Sequence, residues 1–455
     1  MHFKTIALGT ALSFALLAGL ERDAAACGGC FIPSENNTVV TDHRMVLSID
    51  LQQSTLYDQI RYQGSPESFA WVLPIRGEAK VGVSADVVFS VLDVNTSVQV
   101  LRPPTNCPPP PYCPDDNERS ASASGGSADA GVSPVSVLKE ETVGPYETVQ
   151  LRSSDPTALR TWLADRGFQV PAAVTSVIDS YIDEKFDFLA VKLVPGQGVQ
   201  SMVPIRVTTP GASPQLPLRM VAAGTGANVG ITLWTVADGR WEPQNFPSFV
   251  VKQEDLVWDW TTSSSNFKSV RAAKVGQLGA GAWESESSIR FGASNLENQI
   301  ERGQFRGNDG TSQYQAVKDG NGNVIKTAQQ VFDEDMIALF GSANRTVRVT
   351  RLRADLPQAS LSNDLSLQAS TDQSELSRVR QVSREANQPN CPVYSGCKVV
   401  GTAPRDLAAG SYGATLGGGG CATGSTRESR DAWGSGVGLL CAVGIMLATR
   451  RRSTH

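Results

Sequence analysis

The residue types able to do chemistry are scarce in this chain. Its three histidines are His2, His43 and His455. His2 falls in a segment read below as removed, and His455 lies past a C-terminal apolar run, so the folded part keeps His43 alone. A serine or cysteine triad draws its base from a histidine, and a histidine-rich zinc site needs two or three. One histidine could serve the first and cannot serve the second. His43 sits in the strand-like run Val39–Leu51, where a structural role is the expectation.

Carboxylate pairs such as Asp333 and Asp335 could share acid–base work. With 45 acidic residues such pairs also arise by chance, and solvated surface is the default reading. Asp-Thr/Ser-Gly, Gly-x-Ser-x-Gly and His-Glu-x-x-His do not occur. Gly224-Thr225-Gly226-Ala227-Asn228-Val229-Gly230 departs from phosphate-loop spacing and leads into a strand rather than a helix, so it reads as a turn. Asp319-Gly320-Asn321-Gly322-Asn323 alternates oxygen ligands as calcium loops do. Val324 and Gln330 stand where the loop glycine and closing glutamate belong, so a hairpin turn is favoured. Trp258 and Trp260 share a face if Trp258-Asp259-Trp260 is a strand; stacking on a sugar or partner is weighed against core packing. No catalytic, metal-binding or cofactor residue is assigned, and no cofactor is expected.

The 8 cysteines fall mostly in local groups. Cys27 and Cys30, Cys107 and Cys113, and Cys391 and Cys397 are expected as disulfide cysteines of an exported protein, with the pairing left open. Cys27-Gly28-Gly29-Cys30 could be a redox pair, but it opens the mature chain without the helix N-terminus that depresses a reactive thiol's pKa. Four-thiolate zinc is chemically possible and ill-suited to export.

The elements that must carry these residues lie between two addressed ends. Lys4, the apolar run Ile6–Leu20 and Ala24-Ala25-Ala26 predict a signal peptide over residues 1–26, cleaved between Ala26 and Cys27. Lipidation of Cys27 is the rival reading; Ala24 stands where a lipobox prefers an aliphatic residue. At the other end come Gly417–Gly420, Cys421, a polar spacer, an apolar run over 433–449 and Arg450, Arg451 and Arg452. That run is just long enough to span a bilayer, and the arginines stop transfer on the cytoplasmic side. These four parts, in this order over 421–455, resemble the myxobacterial C-terminal sorting segment (MYXO-CTERM). The resemblance implies processing or lipidation near Cys421 and display at the cell surface; an unprocessed single-span anchor is the alternative. The expected partners are the membrane, the export and sorting machinery, and an envelope glycan or surface protein. A formal charge of -5 argues against nucleic acid, which needs concentrated basic surface.

Between the ends the pattern predicts an α+β fold, mostly antiparallel strands with one helix pair. Thr38–Leu51, Leu56–Tyr62 and Phe69–Ile75 read as strands. Asp155 caps a helix whose first residue is Pro156 and whose stop is Gly167; a second runs from Pro171 to about Glu184. Phe186–Val194, Val203–Thr208, Leu216–Ala222, Val229–Ala237, Asn323–Thr327 and Thr346–Leu352 read as further strands, with a hairpin at Asn321-Gly322. The Pro/Ser/Gly-rich stretch 106–136 reads as a disordered insertion and 357–420 as a low-complexity stalk.

Ala26-Cys27-Gly28-Gly29, Phe69–Ile75, Val143–Glu147, Leu216–Met220 and Thr350–Arg353, in this order, resemble a family of exported bacterial proteins that forms a domain of unknown function. The resemblance covers about 27–356 and implies no activity, substrate or catalytic residue. The expected function is therefore a non-enzymatic surface binding or structural module, with a carboxylate-dependent, glycan-directed envelope enzyme as the alternative.

Overall fold

The structure, a computed structural model, describes residues 30–31, 39–63, 70–111, 141–152, 156–165, 172–194, 202–222, 227–306, 311–318 and 322–410. Eight strands make the main sheet: β1 Val39–Ile49, β2 Gln53–Gln63, β3 Lys80–Val83, β4 Ile205–Pro210, β5 Asn228–Ala237, β6 Ser248–Phe249, β7 Trp283–Gly292 and β8 Thr346–Pro357. Their spatial order is β6-β7-β8-β5-β1-β2-β4-β3. All neighbours are antiparallel except β5 with β1 and β6 with β7. The side-chain period of two sorts the strands onto two cores. Val46, Trp234, Val236, Val347 and Val349 join one apolar cluster, and Leu47, Ile231, Leu233, Leu352 and Ala354 join the other.

Eight α-helices accompany the strands among the described residues: α1 Asp86–Thr96, α2 Pro156–Asp165, α3 Ala172–Asp183, α4 Leu218–Ala222, α5 Phe267–Leu278, α6 Ala293–Gly303, α7 Ala328–Phe340 and α8 Arg405–Gly410. α1, α6 and α7 cover the Trp234 face of the main sheet with Phe89, Leu92, Leu296, Ile300, Met336 and Leu339. α7 starts with a reciprocal cap: Thr327 Oγ1 accepts from the Gln330 backbone N–H, and the Gln330 side chain accepts from the Thr327 backbone N–H.

A second sheet of five strands contains Ala70–Ile75, Asp187–Leu193 and Tyr146–Leu151 in adjacent positions. Its Trp71, Leu73, Leu189 and Val191 face the first core. Its Val72, Phe188 and Ala190 pack on Leu163 of α2 and Ile178 and Tyr181 of α3. The helix pair read from Pro156 and the apolar stripe is present, and the α+β class holds.

Three expectations change. Leu218–Ala222 is helix α4, not strand; only Gln215–Leu216 extends. Leu, Arg and Met are good helix formers, and no alternation supports a strand there. The stalk reading of 357–420 does not describe 358–410. There Leu365–Ala369 pairs with two other strands, Leu365, Leu367, Val382 and Cys391 are buried, and Asn390–Ser395 and Lys398–Pro404 form a hairpin. Low apolar content misled because buried arginine replaces apolar bulk: Arg380 is 4% exposed and donates to the Val251 and Glu286 carbonyls. Third, the base of the insertion is tied down, as Cys107 bonds Cys391 across 284 residues.

Candidate functional site

β4 lies between β2 and the edge strand β3 and carries Arg206, 7% exposed, toward α7. Arg206 Nη1 donates to Asp335 Oδ1 at 3.3 Å, and its Nη2 lies 3.5 Å from Glu334. Gly82 of β3 sits opposite Arg206 and leaves the guanidinium room; a Cβ there would lie 2.5 Å from Nη2. Asp335 is fully buried. Its Oδ2 accepts from Ser84 Oγ at 2.6 Å and from the Tyr314 hydroxyl at 2.7 Å, and its backbone carbonyl accepts from the Tyr57 hydroxyl. Burial pushes the carboxyl up, and Arg206, Ser84, Tyr314 and Tyr57 oppose it. Burial likewise pushes both phenols well above their ordinary value, so both stay protonated donors.

Space opens on both sides of this cluster. A cleft of about 610 Å³ is lined by Gln53, Lys80, Gln150, Arg206, Thr208 and Glu334 among others. A second, of about 370 Å³, is lined by Ser84 and Tyr314 together with Gln313, Val203, Gly144 and Lys318. The larger cleft offers amide, hydroxyl, ammonium and carboxylate groups at once, which suits hydrogen bonding to a polar ligand. Its central cation is already balanced by Glu334 and Asp335, and Lys326 also pairs with Glu334 at 2.9 Å.

The sequence reading named Asp335 only as one of a chance pair with Asp333. Helical geometry parts them: Asp335 points into the core and Asp333 is exposed. His43 is buried on β1 with Nδ1 3.2 Å from Asp58 on β2, a cross-strand pair inside the sheet. Trp258 and Trp260 meet edge to face at 6.1 Å, Trp260 Nε1 donates to Glu385, and Arg102 lies over the Trp260 ring. Cys107 pairs with Cys391, and Cys397 is also disulfide-bonded. Cys30 opens a strand antiparallel to Trp71. Ala26, Cys27, Cys113, Cys421, Arg450, Arg451 and Arg452 lie outside the described residues, as do Gly224–Gly226 and Asp319–Asn321. Gly322, described, has φ +86°, and the strands on either side of it, Val317–Lys318 and Val324–Lys326, pair antiparallel.

Sequence reasoning missed Ser84, Tyr57, Arg206 and Tyr314 altogether. It also missed a second charged group, in which Arg44 and Arg351 lie 5.2 and 5.0 Å from the Trp234 ring and Arg351 pairs with Glu286 and Asp93. That group binds α1 to the sheet through Asp93.

The sequence profile of a family described as uncharacterized protein conserved in bacteria (DUF2330) matches residues 22–294, more than half of the chain. The chain belongs to that family. The match stops short of the 356 expected from the motifs, and β8 lies beyond it. No curated relative matches. Among solved structures, baculovirus P35 is similar at a TM-score of 0.27 and 14% identity, over 46% of this chain and 67% of that one. At that score the likeness carries no argument. Among the described residues no helix is long and apolar enough to cross a membrane, and no group of three or more His, Cys, Asp or Glu side chains is placed to hold a metal ion.

Proposed function

We propose that this DUF2330 protein is exported, anchored in the cell envelope, and binds a polar ligand there without transforming it. The observation that carries the reading is the cleft of about 610 Å³ beside β3, β4 and α7. Its side chains can donate and accept along an envelope glycan, and its charges are largely balanced from within. The buried Cys391 in a long-range disulfide supports an oxidising destination. The run from Cys421 to Arg452 is read as a sorting segment of the MYXO-CTERM kind, which places the ligand at the surface. Mass spectrometry of both termini of the native protein tests this: a start at Cys27 and an end near Cys421 is expected, and an intact Arg450–Arg452 would overturn surface sorting.

Calorimetry against cell-wall and surface polysaccharide fragments, with product analysis, tests the binding. Saturable binding without turnover is expected, weakened about tenfold by Lys80→Ala or Gln53→Ala, the worth of one hydrogen bond to a charged or amide group. Turnover abolished by Glu334→Gln would replace the module with a carboxylate-dependent enzyme.

A further inference from the structure

Helix α5 is fastened to the protein by charge. None of its residues is buried. Phe267 and Val270 lean on the small group of Val251, Leu256 and Val382, and Lys274 Nζ lies 3.0 Å from Asp255. Its one deep contact is Arg271, whose Nε donates to Glu284 Oε2 at 2.8 Å and whose Nη1 donates to Asp355.

The slot that receives Arg271 runs across four neighbouring strands. Gly230 of β5 is in register with Asp42 of β1 and with Asp355 of β8. With no side chain between them the two carboxylates converge: a Cβ on Gly230 would lie 2.6 Å from Asp42 Oδ1 and 3.6 Å from Asp355 Oδ1. Glu284 of β7 enters from the far side and is fully buried. Two oxygens here, Asp42 Oδ1 and Glu284 Oε1, are buried and accept no hydrogen bond. A buried acceptor without a donor costs about 1–3 kcal/mol, more when charged. The facing cations are Arg353, 3.4 Å from Asp355, and Arg380, near Glu284. Asp355 is 47% exposed at its side chain and forms the mouth.

With Arg271 withdrawn, the slot presents the acidic side chains of Asp42, Glu284 and Asp355, two of them with an orphaned acceptor, and Gly230 leaves the room that the Asp42 carboxylate takes up. A guanidinium brings five N–H donors in a fixed plane, which a single ammonium does not. We infer that this slot is a recognition site for the guanidinium group of a basic polypeptide, and that Arg271 occupies it as a built-in stand-in. A partner's arginine takes the place of Arg271, and α5, whose apolar hold is limited to the partly buried Phe267 and Val270, lifts to admit it. This site is separate from the cleft beside β3 and does not depend on what that cleft binds.

The test uses the full chain with the peptide acetyl-Gly-Arg-Gly-amide and its citrulline counterpart as probes, read by calorimetry. Arg271→Ala should bind the arginine peptide about tenfold or more tighter than the unaltered protein, because the internal competitor is gone. The citrulline peptide should not bind, and adding Glu284→Gln or Asp355→Asn should erase the gain. Equal affinity in both proteins, or equal affinity for citrulline, overturns the inference. Circular dichroism checks that Arg271→Ala folds. Should it not, Arg271→Lys, which keeps a charge but loses the fork, is expected to show a smaller gain, and no gain there also overturns it.

Discussion

At the scale of single residues, burial decides which carboxylates matter. Asp333 and Asp335 are two positions apart on α7, one exposed and one fully buried. Asp335→Ala would leave Arg206 inside the protein with only Glu334 at 3.5 Å, so a loss of about 3–5 kcal/mol is expected in urea unfolding. Asp333→Ala should stay within about 0.5 kcal/mol. Glu284 gives a pH prediction. Burial, helped by Glu286, pushes its carboxyl from 4.5 up to about 7, against the pull of Arg271. The folded state therefore holds this proton more tightly than the unfolded chain does. Its contribution to stability is complete below about pH 4.5 and is lost as pH rises through 7. Unfolding free energies of Glu284→Gln measured across that window should vary less with pH than those of the unaltered protein.

At the scale of elements, the sequence was legible where local chemistry matched local structure. Pro156 and the apolar stripe through Leu159 and Leu163 mark α2, and Leu159 and Leu163 are buried. Thr327 and Gln330 form the capping box of α7, a start signal at the very end of the strand-like run Asn323–Thr327. β7 was illegible for a different reason. Its run Trp283-Glu284-Ser285-Glu286-Ser287-Ser288 is buried throughout, and no rule on polarity predicts two glutamates and three serines inside a sheet. They are tolerated because Arg271, Arg351, the Thr96 carbonyl and Thr350 meet them. The Ser84–Asp335 contact joins residues 251 apart, so composition and spacing carry no trace of it. Cys107–Cys391 is equally non-local, and local cysteine spacing points elsewhere. Because it closes 284 residues, replacing both cysteines with serine should cost about 2–5 kcal/mol. Limited proteolysis should then cut first in the Asn390–Pro404 hairpin region.

At the scale of the whole molecule, the family match and the folded unit have different limits. The match ends at 294, yet β8 at 346–357 lies between β7 and β5 in the main sheet. A chain ended at residue 294 would leave both of those strands with bare hydrogen-bonding sides, and is expected to elute as aggregate in gel filtration. The opposite border of the same sheet is guarded differently. Among the described residues β3 has β4 on one side and no sheet partner on the other. The residue before it, Ala79, has its backbone N–H held by Gln150 Oε1 at 2.9 Å, while the Gln150 amide donates back to the Ala79 carbonyl. One side chain thus imitates a neighbouring backbone and closes the place where a second molecule would begin to pair. A backbone whose donor and acceptor are already taken offers an incoming strand nothing to zip onto at that position.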